Sequence, residues 1–135
     1  MENKPKSLQV GDSFILRDDQ IGAHLHVIVA QTNRENHGQV MLVYVTDSQS
    51  YKDHTTILYP GEHPFINNLS WVKYQNILIC QRSSLENRIV RHYEPVSDEL
   101  LKRIQDGILQ SKLASKENKA LFRQWRLNHL FDLLD

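Results

Sequence analysis

Two stretches, GAHLHVIVAQ at residues 22–31 and QVMLVYVT at residues 39–46, decide how this chain is read. Each is rich in β-branched and aliphatic side chains and too short for a typical globular helix. A polar cluster at residues 33–38, containing two Asn and a Gly, separates them and marks a turn. Strands joined by so short a connection pair antiparallel. The unbroken apolar character of QVMLVYVT predicts burial on both faces. In the first run His24 and His26 are two residues apart, so a strand points both rings the same way.

Working outward, VGDSFILR at residues 10–17 reads as a strand entered from a Gly-Asp turn. TILY at residues 56–59 is a short strand closed by the turn pair Pro60-Gly61. Residues 70–81 alternate before an apolar run, and residues 88–93 give a last strand. The connections are short and no long helix separates the strands. That predicts an antiparallel sheet curled into a small barrel, not a βαβ fold.

Past Pro95 the spacing becomes helical. In PVSDELLKRIQDGILQ, residues 95–110, Ser97 is placed to cap a helix, and Asp98 and Glu99 suit the positive end of its dipole. Leu100, Leu101, Ile104, Ile108 and Leu109 share one apolar face. Ser115 is placed to cap a second helix, where Leu121, Phe122, Trp125, Leu130, Phe131 and Leu134 supply apolar surface. The expected fold class is mainly β with C-terminal helices: a barrel over residues 1–96 and a helical extension over 97–135, packed on or near the barrel within a single domain.

The 135 residues carry 16 Lys and Arg against 16 Asp and Glu, so no net charge draws the whole molecule to nucleic acid or anionic lipid. Any such binding needs a local patch. Cys80 is the one cysteine and lies in the apolar run NILICQ, which predicts a buried thiol in a reduced compartment. No signal-like segment and no apolar run of bilayer length is present, so a cytoplasmic protein without membrane contact is expected.

Residues able to do chemistry gather between the strands: His24, His26, Thr46, His54, Thr55, Thr56, His63, Ser70 and Tyr74. His-x-His with a distant third His has the donor types Zn²⁺ accepts. A cupin-like site also needs a carboxylate and a further His at characteristic spacing, and the sequence lacks them; no metal and no cofactor are expected. RNA cleavage without metal needs a base for the 2′-hydroxyl, an acid for the leaving oxygen and donors for charge on phosphorus. Histidine suits the first two because imidazole titrates near neutrality, and hydroxyls suit the third. His37, His92 and His129 have no such context and are read as solvated or structural. Trp71 and Tyr74 have rings able to stack on bases, although strand aromatics more often pack. Cations on the C-terminal helices alternate with acids, as on a solvated face.

The strand order resembles that of the MazF/PemK toxins of bacterial toxin–antitoxin systems. VGDSFIL is similar to the Gly-Asp that opens their first strand. GAHLHVIVA resembles their Gly-x-Arg-Pro-x-Val-Val strand, VYVTDSQ their strand ending in Thr-Thr or Thr-Ser, and LSWVKY their later Asp-Gln-Val-Arg strand. The likeness spans residues 10–81. The longer run KDHTTILYPGEHPFINNLSWVKY also resembles bacterial proteins with this kind of barrel. The resemblance implies a small SH3-like barrel that dimerises, cleaves single-stranded RNA without metal and is blocked by an antitoxin. By position, His24 stands where that family has its catalytic Arg, Thr46 matches its Thr, and Ser70 falls where some members have an acid. Imidazole does not hold the permanent charge of a guanidinium, but it can act as a base. The helices after residue 97 also depart from the family.

Three functions are therefore carried forward. The first is a metal-independent endoribonuclease with His24, His63 and Thr46 as catalytic groups and His26, Ser70, Tyr74 and His54 contacting substrate. The second is a non-catalytic barrel binding a protein or nucleic acid, which the missing Arg favours. The third is a His-x-His metal-dependent enzyme.

Overall fold

A computed structural model describes residues 8–16, 22–32 and 38–134, with side chains as far as residue 130. Residues 33–37 of the turn expected at 33–38, His37 among them, lie outside the described residues, as do the side chains of Phe131 and Leu134.

Among the described residues seven strands form: β1 (Ser13–Leu16), β2 (His24–Gln31), β3 (Gln39–Thr46), β4 (Ile57–Leu58), β5 (Ser70–Val72), β6 (Leu78–Gln81) and β7 (Ile89–Tyr93). Every pairing is antiparallel, in the order β4-β5-β3-β2-β1-β7, and β6 also pairs with β3. β3 is long enough to hold two neighbours on one edge: residues 39–42 pair with β6, while Val45 and Thr46 pair with β5. A short helix α1 (Arg82–Glu86) joins β6 to β7, and α2 (Asp98–Gln110) and α3 (Lys116–Leu134) follow the sheet. The chain is thus an antiparallel sheet followed by two C-terminal helices, mixed α/β in content where the sequence suggested mainly β.

Strand alternation builds two apolar layers. Ile15, Leu25, Val27, Met41 and Val43 face one way and meet Leu100, Ile104, Ile108, Phe122 and Trp125 of the helices. Phe14, Leu16, Ile28, Val40 and Leu42 face the other way and meet Leu8 and Leu85. Both faces of β3 are therefore covered, as its apolar run requires. A bulge between Ile28 and Ala30 lets Val29 and Ala30 both join the helix-side layer. Cys80 is half-buried against the second layer, and burial pushes its thiol pKa up.

Local signals set the helix starts. The Ser97 hydroxyl accepts from the Leu100 amide at 3.1 Å, and Ser115 does the same for Asn118 at 3.0 Å. Residues 70–81 form two strands rather than one, because a 3₁₀ turn at Tyr74–Asn76 breaks the run. There Tyr74 is fully buried; its hydroxyl donates to the Ile104 carbonyl at 2.7 Å and meets the Thr56 hydroxyl at 2.7 Å. Those two hydroxyls press against Gly107 of α2 where a Cβ would stand. The helix lies this close to the sheet because residue 107 has no side chain. Tyr59 to Glu62 turn tightly, with the Glu62 amide on the Tyr59 carbonyl at 3.0 Å and Gly61 at φ 92°. Pro then Gly at the two central positions suits such a type II turn. Among the described residues no helix is long and apolar enough to cross a membrane.

Candidate functional site

The start of β2, the end of β3, the 64–70 segment and β7 enclose a cavity of about 550 Å³. Its polar lining includes His24, Asp47, Asn68, Ser70, Arg91 and Tyr93. Two of these, His24 and Ser70, are among the residues singled out from the sequence. Arg91, Asp47 and Asn68 are not.

His24 is half-buried, and its Nδ1 lies 3.1 Å from the Val45 carbonyl. A carbonyl can only accept, so Nδ1 carries a proton in that bond. In the neutral ring Nε2 is then the nitrogen without a proton. The ring packs against Tyr44 with centroids 5.0 Å apart. A backbone bond and an aromatic contact are thus among the interactions that fix the imidazole. The Lys73 ammonium lies 5.6 Å from the centroid of the same Tyr44 ring.

Arg91 adds a permanent positive charge to the cavity lining. Its guanidinium carbon lies 4.7 Å from the Tyr93 ring centroid, a cation–π contact that orients the planar group. Opposite it, Asn68 donates to the Asp47 carboxylate at 3.2 Å. Ser70 is buried and donates to the Asn68 carbonyl at 2.8 Å, which ties the 64–70 segment to β5. Among the described residues the cavity therefore combines an imidazole, a guanidinium, a carboxylate and several neutral hydrogen-bonding groups.

The remaining sequence candidates stand elsewhere. Thr46 is buried in the β3–β5 ladder opposite Trp71, and its hydroxyl accepts from the Ser48 amide at 3.2 Å. Its neighbours Val45 and Asp47 line the cavity; Thr46 does not. His26 is buried behind His24, on the same side of β2, with its Nδ1 on the His24 carbonyl at 2.9 Å and its ring 5.4 Å from Tyr44. His54 is exposed and stacks on Trp71 with centroids 4.0 Å apart. Tyr74 fastens α2 to the sheet and does not reach the cavity; burial drives its phenol pKa far up. Of the other histidines, His92 and His129 are exposed.

His63 lies directly behind the cavity wall. It is buried, and its ring touches Tyr93 with centroids 5.2 Å apart. Its Nδ1 accepts from the Phe65 amide at 3.0 Å, and its Nε2 is 2.9 Å from the Ser13 hydroxyl. Ser13 spends its own proton on the Glu94 carbonyl at 2.7 Å. Nε2–H therefore donates to Ser13, and both ring nitrogens are engaged. Burial pushes the His63 pKa down, and the nearby Glu94 carbonyl and carboxylate offset only part of this.

For metal, the Nδ1 atoms of His24 and His26 both meet backbone carbonyls. Among the described residues no three His, Cys, Asp or Glu side chains are grouped closely enough to hold an ion.

In IVRHY, Arg91 is one of two adjacent polar residues, and nothing in the local pattern sets it apart from an exposed strand position. Compared with known protein families and with curated proteins, the chain finds no match.

Proposed function

We propose that the chain is a metal-independent endoribonuclease of the MazF/PemK kind, acting on single-stranded RNA from a small SH3-like barrel. The observation that carries this reading is that His24 and Arg91 line one cavity, together with Ser70 and Asp47. In this reading His24 Nε2 takes the proton from the ribose 2′-hydroxyl. The 2′-oxygen attacks phosphorus, and the bond to the 5′-oxygen breaks. The products are a 2′,3′-cyclic phosphate and a 5′-hydroxyl, with water in the open cavity protonating the leaving oxygen. Arg91 neutralises the charge that builds on the non-bridging oxygens. Asn68 and Asp47 border the space a base would fill.

The resemblance supplies two further elements, a homodimer and an antitoxin that blocks the groove. Expression of the protein is expected to arrest growth, with His24→Ala relieving the arrest at equal protein level. Arrest that persists in full with His24→Ala would remove His24 from the mechanism.

One observation favours binding without cleavage: His63, the second imidazole, is fully engaged behind the wall and gives His24 no acid–base counterpart in the cavity. Under that reading RNA or a partner protein is held by Arg91 and left intact.

A further inference from the structure

We propose that His63 is a proton-operated latch on the cavity wall: neutral, it ties the 63–66 segment to β1 and to the end of β7; protonated, it releases that segment.

The geometry permits a single neutral tautomer. The Phe65 N–H can only donate, so Nδ1 must be bare, and the proton sits on Nε2, facing Ser13. The Ser13 hydroxyl hands its own proton to the Glu94 carbonyl, so one unbroken chain of bonds runs from the loop to the strand end. Within the loop, the Ile66 amide bonds the His63 carbonyl at 2.9 Å and the Gly61 amide bonds the Ile66 carbonyl at 3.1 Å. Phe65 and Ile66 themselves line the cavity. The ring at position 63 thus holds cavity-lining residues in place without entering the cavity, which makes it a positioning residue.

Adding a proton changes one side of this arrangement only. An imidazolium donates from both nitrogens. The bond to Ser13 survives, whereas Nδ1–H then faces the Phe65 N–H and repels it. The groups around the ring are Ser13 from β1, Tyr93 and Glu94 at the end of β7, and Phe65 from its own loop. Glu94 favours the charged ring, and the Arg91 guanidinium stacks on the same Tyr93 ring that His63 touches. Burial outweighs Glu94 and lowers the pKa below the ordinary 6.5. The latch is therefore shut at neutral pH. Its contribution is complete above the unfolded value and is lost as the pH falls through the lower folded value.

This inference rests on the proposed cleavage only for what the cavity is used for, and its test needs no RNA. Amide hydrogen exchange of the intact protein, corrected for intrinsic rates, is compared at pH 7.5 and pH 5. The Phe65 and Ile66 amides are expected to lose about 10-fold or more in protection while β2 and β3 amides keep theirs. In His63→Asn, whose side-chain carbonyl can still accept from the Phe65 amide but cannot titrate, the pH effect is expected to vanish. Protection at Phe65 that is unchanged in the wild-type protein would overturn the latch, whatever the variant does. An inactive enzyme with a working latch would instead sink the cleavage reading alone.

Discussion

His24 and Arg91 stand on the two strands that flank β1, His24 opposite Leu16 and Arg91 opposite Ile15, and both line one cavity. Successive residues of β1 face opposite sides of the sheet, so these two registers would ordinarily send their partners apart. The β1–β7 register is irregular between Ile15 and Leu16, and both residues line the cavity where β2 begins. A cation and a proton-transfer group are thereby held on rigid strands, with the 64–70 segment as the third wall.

Arg91 is expected to carry the electrostatic part of catalysis. Arg91→Ala should slow cleavage of a single-stranded RNA by roughly 100-fold, the scale of removing one preorganised donor. Arg91→Lys should recover only part of this, since it keeps the charge and loses the planar fork. Initial rates on one oligonucleotide, with circular dichroism to verify folding, check both. Wild-type rates in Arg91→Ala would place phosphate recognition elsewhere.

Gly107 is expected to be intolerant of even one methyl group. A Cβ there collides with the Tyr74 and Thr56 hydroxyls, which are themselves bonded to one another and, from Tyr74, to the Ile104 carbonyl. Gly107→Ala should therefore lower stability by about 1–3 kcal/mol through overpacking, despite the better helix propensity of Ala. Urea unfolding should show a lower midpoint at an unchanged slope. A gain in stability would mean that α2 does not sit this close to the sheet.

Asp53 should make the junction between the 47–56 loop and α2 sensitive to acid. Burial alone would raise its pKa, but hydrogen bonds from Ser111 and Thr55 outweigh that and hold it below the ordinary 3.8. The stabilisation is present above the unfolded value and is lost as the pH falls through the lower folded value. Asp53→Asn should therefore melt below the wild type at pH 7, with the gap closing towards pH 3. A gap that stays constant across that range would contradict this assignment.

The sequence was most informative where a local rule acts alone. Ser97 and Ser115 cap the helices they precede, and the apolar run of β3 is buried on both faces. His24 was legible as a strand-end imidazole. The cavity's other members were not, because their value comes from tertiary neighbours. Arg91 is one of two adjacent polar residues in IVRHY until the β1–β7 pairing brings it to the cavity that His24 also lines. His63 looked like a second catalytic imidazole, and only Ser13, 50 residues away in the chain, shows that its nitrogens are already engaged. α1 was missed because its five residues are too few for a helical period to register. The split of residues 70–81 depends on Tyr74 burying itself against α2, a contact between segments that local pattern cannot encode.

The most direct test is cleavage of a single-stranded RNA by the purified protein in excess chelator, wild type beside His24→Ala, with 5′-hydroxyl and cyclic-phosphate ends identified on the products. The account predicts cleavage by the wild type and a loss of about 100-fold or more in the variant, the range expected for removing a general base. An RNA left intact by the folded wild-type protein, or cut equally well by His24→Ala, would contradict it.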